Sequence, residues 1–168
     1  MNYQEPNIVA EICCNHQGDM NIAKKMIKVA ADSGVTVAKF QKRNNKEFLT
    51  ASQFNAPHPN KMHSFGEPYG KHREFLEFSI DQHKDLKEYT ESLGIVYASS
   101  TFDVSSAQDI IMLNPQYIKV PSACNNHFDM LRILRDEYSG GVHISFGMTT
   151  KEEEKEIVKF FDDTDQAN

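Results

Sequence analysis

The chain has 168 residues, of which 39% are hydrophobic and 25% are charged. This amino-acid composition is typical of a globular protein, and the length predicts a single domain with one hydrophobic core. The formal net charge of -6, without any cluster of Lys and Arg, argues against nucleic acid as the main partner. No run approaches the roughly 18 apolar residues that a membrane-spanning helix needs, and no signal-peptide pattern opens the sequence. We therefore expect a cytoplasmic protein that does not span a membrane.

Two short apolar runs open a pattern of alternating strands and helices. Ile8–Cys13 predicts the first strand, and Asp19 caps a helix that Gly34 ends. Val35–Gln41 predicts the second strand. The stretch from Lys42 to about Arg73 contains three prolines and is expected to be a long irregular loop, which in a compact domain is usually functional or mobile.

The alternation then continues to the end of the chain. Capping patterns at Ser79, Asp103 and Thr150 predict three helix starts. Another helix precedes Gly140-Gly141. The remaining strands are predicted, in order, at Ile95–Phe102, Tyr117–Val120 and Val142–Phe146. Five such units imply a parallel α/β sheet covered by helices, either an open doubly wound sheet or part of a barrel, and periodicity alone does not choose between them.

Polar residues cluster where these strands end, which is where both architectures bind ligands. Lys39 and Lys119 lie inside apolar runs, where a cation without a partner would be costly. With neighbouring hydroxyls they indicate a site for an anion such as a phosphate with an attached carboxylate. The alternatives are that the lysines reach the surface and the serines bond the backbone. The strand-end residues are Glu11, Asn15, His16, Lys39, Gln41, Ser99, Ser100, Thr101, Lys119, Ser122, Ser145 and Gly147.

The spacing of the cysteines and histidines does not predict a metal site or a disulfide framework. Three cysteines, Cys13, Cys14 and Cys124, form neither an even disulfide framework nor a Cys-x-x-Cys pair, so reduced, small buried side chains are expected. No His-x-x-x-His spacing occurs. The histidines beyond His16 are therefore interpreted as surface or packing residues.

Taken in order, the strand ends resemble the N-acetylneuraminate (sialic acid) synthase family. Ala-Glu-Ile at positions 10–12 with Asn-His-Gln-Gly at 15–18 is similar to the opening motif of that family. Lys-Phe-Gln at 39–41 is similar to its second-strand motif, and Ser-Ser-Thr-Phe-Asp at 99–103 to its third. The fourth and fifth matches are Lys-Val-Pro-Ser at 119–122 and Ser-Phe-Gly-Met at 145–148. Any one match is weak, but five in order are a strong signal.

The resemblance implies a TIM (β/α)₈ barrel that condenses phosphoenolpyruvate with an N-acyl hexosamine similar to N-acetylmannosamine, releasing phosphate and forming a sialic acid-type product. It implies that Gln41 faces the sugar and that Glu11 handles a proton or orients water. It also implies a divalent metal, Mn²⁺ or Mg²⁺, and a homodimer for the complete enzyme. The residues implied to hold phosphoenolpyruvate are Lys39, Ser100, Lys119, Ser122 and Ser145.

Three departures from the family pattern qualify these expectations. Cys124 stands where the family has an acid that contacts the acceptor, so the sugar is in doubt. Thr101 replaces the family proline, which puts Ser100 where the family has a threonine and keeps a hydroxyl. A whole barrel needs roughly 250 residues, so residues 1–168 are predicted to be an N-terminal part of about five βα units. The rest of the barrel, the metal-binding histidines and an antifreeze-like domain would be absent, and the chain alone would not turn over.

Two other functions remain open at this point. Lys119 could be the Schiff-base lysine of a barrel aldolase, because burial can lower the pKa of a strand lysine enough for imine chemistry. Alternatively, a half-barrel with unpaired strand edges and an uncovered apolar face could be a non-catalytic interaction module.

Overall fold

A computed structural model describes residues 5–162 as a five-stranded parallel sheet flanked by helices. The strands are β1 (Val9–Cys13), β2 (Val37–Lys42), β3 (Val96–Thr101), β4 (Tyr117–Val120) and β5 (Gly141–Ile144). The helices are α1 (Met20–Asp32), α2 (Asn45–Phe48), α3 (Ala51–Asn55), α4 (Tyr69–Leu76), α5 (Ile80–Ser92), α6 (Val104–Leu113), α7 (Phe128–Glu137) and α8 (Lys151–Asp162). Short 3₁₀ turns occupy Lys61–His63 and Ser122–Cys124.

The strand order separates a barrel from a doubly wound sheet. Each strand after the first pairs with the strand before it, in the order β1-β2-β3-β4-β5, and all four pairs are parallel. A doubly wound sheet reverses its strand order at a switch point, and this order has no reversal. The described residues therefore form about five βα units of an incomplete (β/α)₈ barrel, as the resemblance implied.

The helices cover one face of the sheet. Phe40 and Tyr97 from β2 and β3 pack with Ile27 of α1 and Leu86 of α5 in one core cluster. A second cluster joins β4 to α6 and α7, and Ile118 at its centre has no exposed surface. Because side chains alternate along a strand, the residues between these core positions point to the other face.

Three helices begin at capping residues that the sequence predicts. The Asp19 carboxylate accepts hydrogen bonds from two backbone N–H groups at the start of α1. Ser79 and Gln82 form a reciprocal capping box at α5, and Thr150 and Glu153 do the same at α8. Each cap satisfies N–H groups that have no partner inside the helix, which is worth about 1 kcal/mol.

The prediction of an irregular stretch from Lys42 to Arg73 is wrong. That stretch contains α2, α3, a 3₁₀ turn and the first half of α4. Asn44 caps α2 through Lys46 N, and Thr50 with Gln53 forms a capping box on α3. These caps allow helices of only four and five residues, which are too short to leave a periodic apolar signal.

Strand boundaries also differ slightly from the prediction. The fifth strand ends at Ile144, so Ser145 and Phe146 lie in the turn that follows it. The second strand extends one residue further, to Lys42. Within residues 5–162, β1 and β5 each pair with a single neighbour. No helix of this part of the chain has the length and apolarity needed to cross a bilayer.

Candidate anion-binding site

The polar strand residues lie together on the face that the helices leave uncovered. Glu11 is the lateral neighbour of Lys39, and Gln41, Ser100 and Lys119 are successive neighbours across β2, β3 and β4. Lateral neighbours in a parallel sheet point to the same side. We call this side, defined by Glu11, Lys39, Gln41, Ser100 and Lys119, the polar face.

Lys39 is the central cation of the polar face. Only 4% of the residue is exposed, and its Nζ lies 2.6 Å from Glu11 Oε2 and 3.3 Å from Ser100 Oγ. The Glu11 carboxylate is therefore the anion that compensates the charge of Lys39 in its apolar strand. The Glu11 side chain is 56% exposed, so water reaches one side of the pair.

Lys119 shares this site with Lys39. Partial burial lowers the pKa of Lys119, and the positive charge of Lys39 lowers it further, while Glu11 opposes the shift. Such an effect falls off with distance, so the ammonium group of Lys39 lies near that of Lys119. In addition, Ser100 is the lateral neighbour of Lys119 and accepts a hydrogen bond from Lys39. The three side chains form one cationic patch with a hydroxyl between the cations.

Ser122 and Ser145 lie in the adjacent turns after β4 and β5. The Asn125 side-chain amide donates to the Ser145 carbonyl at 2.9 Å, which ties the two turns together. A Cβ on Gly147 would lie 2.7 Å from Ser122 Oγ, closer than side chains approach. Gly147 therefore leaves room for the Ser122 hydroxyl. Both serines are half-buried, and the structure shows no hydrogen bond of either hydroxyl within residues 5–162.

Arg43 is a prominent charged residue of this region that the sequence reasoning missed. It is 8% exposed, its Nε donates to Glu77 Oε1 at 2.9 Å, and its guanidinium lies 4.6 Å from the centre of the Phe102 ring. Its Nη2 donates to Gln41 Oε1. Burial raises the pKa of Glu77, although the charge of Arg43 opposes that shift. Arg43 directly follows β2, so the search for polar residues at strand ends could have included it, although its pairing with Glu77 leaves no local signal.

Cys124 does not line the polar face. It is 4% exposed, packs in the core cluster of α6 and α7, and donates its thiol toward the Phe102 carbonyl. Burial raises the pKa of this thiol to about 11, so it stays protonated. Cys124 is thus the small buried side chain that the sequence predicted. No disulfide forms among the three cysteines, although Cys13 and Cys14 are only half-buried.

His16 is a packing residue with a defined place beside the site. It is 2% exposed, stacks on Phe78 at 4.0 Å, and its Nδ1 accepts from Gly18 N at 3.1 Å. Burial lowers the pKa of His16 to about 4, so the ring is neutral at pH 7. Its role is to hold the turn between β1 and α1.

Metal ligands are not gathered in this part of the barrel. Among residues 5–162, no three His, Cys, Asp or Glu side chains converge closely enough to hold an ion. These residues therefore do not by themselves fit the divalent metal that the resemblance implies.

The chain is similar to sugar-acid synthases over most of its length. It is 37% identical to human N-acetylneuraminate-9-phosphate synthase over 150 residues, which cover 89% of this chain and 41% of that protein. It is 34% identical to N,N'-diacetyllegionaminic acid synthase of Campylobacter jejuni over 115 residues, or 68% of this chain and 34% of the relative. The chain thus spans about two fifths or less of these curated relatives.

A solved structure and a family model agree with these matches. N-acetylneuraminic acid synthetase from Leptospira borgpetersenii superposes with a TM-score of 0.77 at 25% identity, covering 95% of this chain and 50% of that one. The NeuB family model matches residues 26–168, which include β2 to β5 and four of the five strand-end motifs. This chain belongs to the NeuB family.

Proposed function

We propose that this chain supplies the phosphoenolpyruvate-binding part of a synthase that joins phosphoenolpyruvate to an N-acyl hexosamine, releasing phosphate. The observation that carries the proposal is that two lysines flank the Ser100 hydroxyl on the polar face. Lys39 Nζ donates to Ser100 Oγ at 3.3 Å, and the positive charge of Lys39 helps to lower the pKa of Lys119. Two cations and several hydroxyls suit a ligand with both a phosphate and a carboxylate.

Each residue has a defined part in the proposed reaction. Lys39 and Lys119 neutralise the two acidic groups of phosphoenolpyruvate, and Ser100, Ser122 and Ser145 donate hydrogen bonds to their oxygens. The enol carbon attacks the sugar aldehyde, water adds to the resulting cationic centre, and phosphate leaves. The fixed positive charges of the two lysines assist this reaction because they stabilise the departing phosphate and do not have to reorient first.

Glu11 has two parts to play in this scheme. Its carboxylate lies 2.6 Å from Lys39 Nζ and holds that ammonium group in place. The incoming acid competes with Glu11 for Lys39, and the exposed carboxylate can turn toward solvent when it is displaced. We propose that it then orients the attacking water or accepts its proton, since a carboxylate beside the reacting centre can act as a general base.

The divalent metal of the reaction, Mn²⁺ or Mg²⁺, would polarise the sugar aldehyde when bound. Its ligands would have to come from beyond residues 5–162, given that no cluster of suitable side chains forms within them. The curated relatives are more than twice as long as the matched region. We therefore propose that turnover, dimer formation and closure over the sugar depend on the whole protein, and that this chain alone is inactive.

A phosphate-release assay tests the proposal. The intact protein, with Mn²⁺, phosphoenolpyruvate and N-acetylmannosamine or its 6-phosphate, should release one phosphate for each 2-keto acid formed. Omitting the sugar distinguishes condensation from simple hydrolysis of phosphoenolpyruvate. Absence of release with every N-acyl hexosamine tried would contradict the proposal.

A Schiff-base aldolase is the second candidate, because burial and the adjacent Lys39 charge both lower the pKa of Lys119. The same two effects activate amine nucleophiles in imine-forming enzymes. Borohydride reduction in the presence of pyruvate, followed by mass spectrometry, separates the candidates. Only the imine route leaves pyruvate covalently attached to Lys119.

A further inference from the structure

We propose that Arg43 is a positioning residue that fixes the Gln41 side-chain amide so that it offers only N–H donors to the acceptor sugar. The site would then select an acceptor with a hydrogen-bond-accepting oxygen at this position, such as the carbonyl of an N-acyl group. This inference rests on the proposed function, in which Gln41 faces the sugar.

The orientation of Gln41 follows from the chemistry of its neighbours. Arg43 Nη2 is only a donor, so the Gln41 atom that it contacts must be the oxygen Oε1. The Cys14 thiol donates to the same oxygen at 3.5 Å. A glutamine with free rotation could present either end of its amide to a ligand. Here both lone pairs of Oε1 are already used, and turning the amide over would set Nε2 against a guanidinium.

The donor end of the amide is left available. Gln41 is half-buried, and the structure shows no hydrogen bond from its Nε2 within residues 5–162. Gln41 lies on the same side of β2 as Lys39, two residues nearer the carboxyl end of the strand. The free N–H groups therefore lie beside the cationic patch, on the side where a sugar would approach the bound acid.

Arg43 is rigid enough to impose this orientation. Its Nε and its backbone N–H donate to the two oxygens of Glu77, at 2.9 and 3.1 Å. Its guanidinium also packs against the Phe102 ring. Glu77 immediately follows α4, so the arginine is held between the sheet and the helical segment that the sequence reasoning misread as irregular. A buried ion pair with bidentate character keeps its geometry better than an exposed one.

Kinetics of three variants of the intact protein test the inference. Arg43→Met should raise the KM for N-acetylmannosamine about tenfold, the effect of losing one well-placed hydrogen bond. The KM for phosphoenolpyruvate should change less than twofold, since Lys39 and Lys119 are untouched. Gln41→Glu keeps the contact with Arg43 but has no N–H, so it should raise the acceptor KM at least as much. Lys42→Met is the matched control, because Lys42 pairs with Asp109 at 3.3 Å and points away from the polar face.

A spectroscopic measurement separates positioning from general damage. In the protein labelled with ¹⁵N-glutamine, the side-chain amide signal of Gln41, identified by its loss in Gln41→Glu, should shift in Arg43→Met and stay in place in Lys42→Met. An unchanged Gln41 signal in Arg43→Met overturns the inference.

Kinetic outcomes also distinguish this inference from the proposed function. An active wild-type protein whose acceptor KM is unaffected by Arg43→Met refutes the positioning role alone. Equal rises in both KM values would likewise refute it. A wild-type protein that releases no phosphate with any hexosamine removes the proposed function, and the acceptor role of Gln41 with it. Should Arg43→Met fail to fold, Gln41→Glu still tests the donor role of the amide, and an unchanged acceptor KM in Gln41→Glu would overturn the inference.

Discussion

Replacing Lys39 with Met separates the binding role of this lysine from any structural role. The lysine stem is buried, and Met has a similar shape, so packing in the sheet is retained. The change removes the contacts of Nζ to Glu11 at 2.6 Å and to Ser100 at 3.3 Å. The Glu11 side chain is 56% exposed, so its carboxylate stays hydrated after the ammonium is lost.

The expected effects on stability and on binding differ in size. An ion pair with one exposed partner contributes about 0–1 kcal/mol, and the lost hydrogen bond to Ser100 about 1 kcal/mol. Removing a buried ammonium recovers its desolvation cost, so the free energy of unfolding should change by less than about 1.5 kcal/mol. A charged hydrogen bond to phosphate or carboxylate is worth about 2 kcal/mol, which corresponds to a roughly 30-fold weaker Kd.

Calorimetric titration with phosphoenolpyruvate, together with urea unfolding, measures both quantities. Lys42→Met removes a cation three residues further along the same strand, on the opposite face, and serves as the control. We expect its Kd to match the wild type within twofold. The reasoning is refuted if Lys39→Met binds phosphoenolpyruvate within threefold of the wild type while remaining folded.

Three further predictions concern the surroundings of the site. Gly147→Ala places a Cβ 2.7 Å from Ser122 Oγ, so calorimetry should show about fivefold weaker phosphoenolpyruvate binding with little change in Tm. Cys124→Glu buries a carboxylate in the core, and urea unfolding should show a loss of about 3 kcal/mol with no gain in acceptor affinity. Burial lowers the pKa of His83 to about 3, so below pH 6.5 the unfolded state gains a proton that the folded state does not. Stability should therefore fall as the pH drops, by about 2 kcal/mol at pH 5 from this residue, and His83→Leu should lack that component. An equal pH dependence in His83→Leu and the wild type would contradict the argument.

Local sequence was sufficient to predict the strands, the long helices and the residues that cap them. Asp19, Ser79 and Asp103 act through hydrogen bonds to backbone groups two or three residues away, so their effect is visible in a short window. The choice between a barrel and a doubly wound sheet depends on strand order. Strand order is a property of the whole sheet, and periodicity carries no information about it.

The site was predictable only in part, for a related reason. Strand-end positions indicated that Lys39, Ser100 and Lys119 would lie together, because the carboxyl ends of parallel strands share one edge. The pairing of Arg43 with Glu77 joins residues 34 positions apart across a misread helical segment, so no local pattern revealed it. Cys124 is the small buried side chain that its composition predicted, and the 3₁₀ turn at Ser122–Cys124, which motif matching does not reveal, turns it into the core.

A crystal structure of the intact protein with phosphoenolpyruvate tests the central claim most directly. We expect the ligand to lie on the polar face with its phosphate and carboxylate oxygens in hydrogen-bonding distance of both Lys39 Nζ and Lys119 Nζ, and with Glu11 displaced from Lys39. Phosphoenolpyruvate bound elsewhere, or contacting neither lysine while the Glu11 to Lys39 pair stays closed, would contradict it.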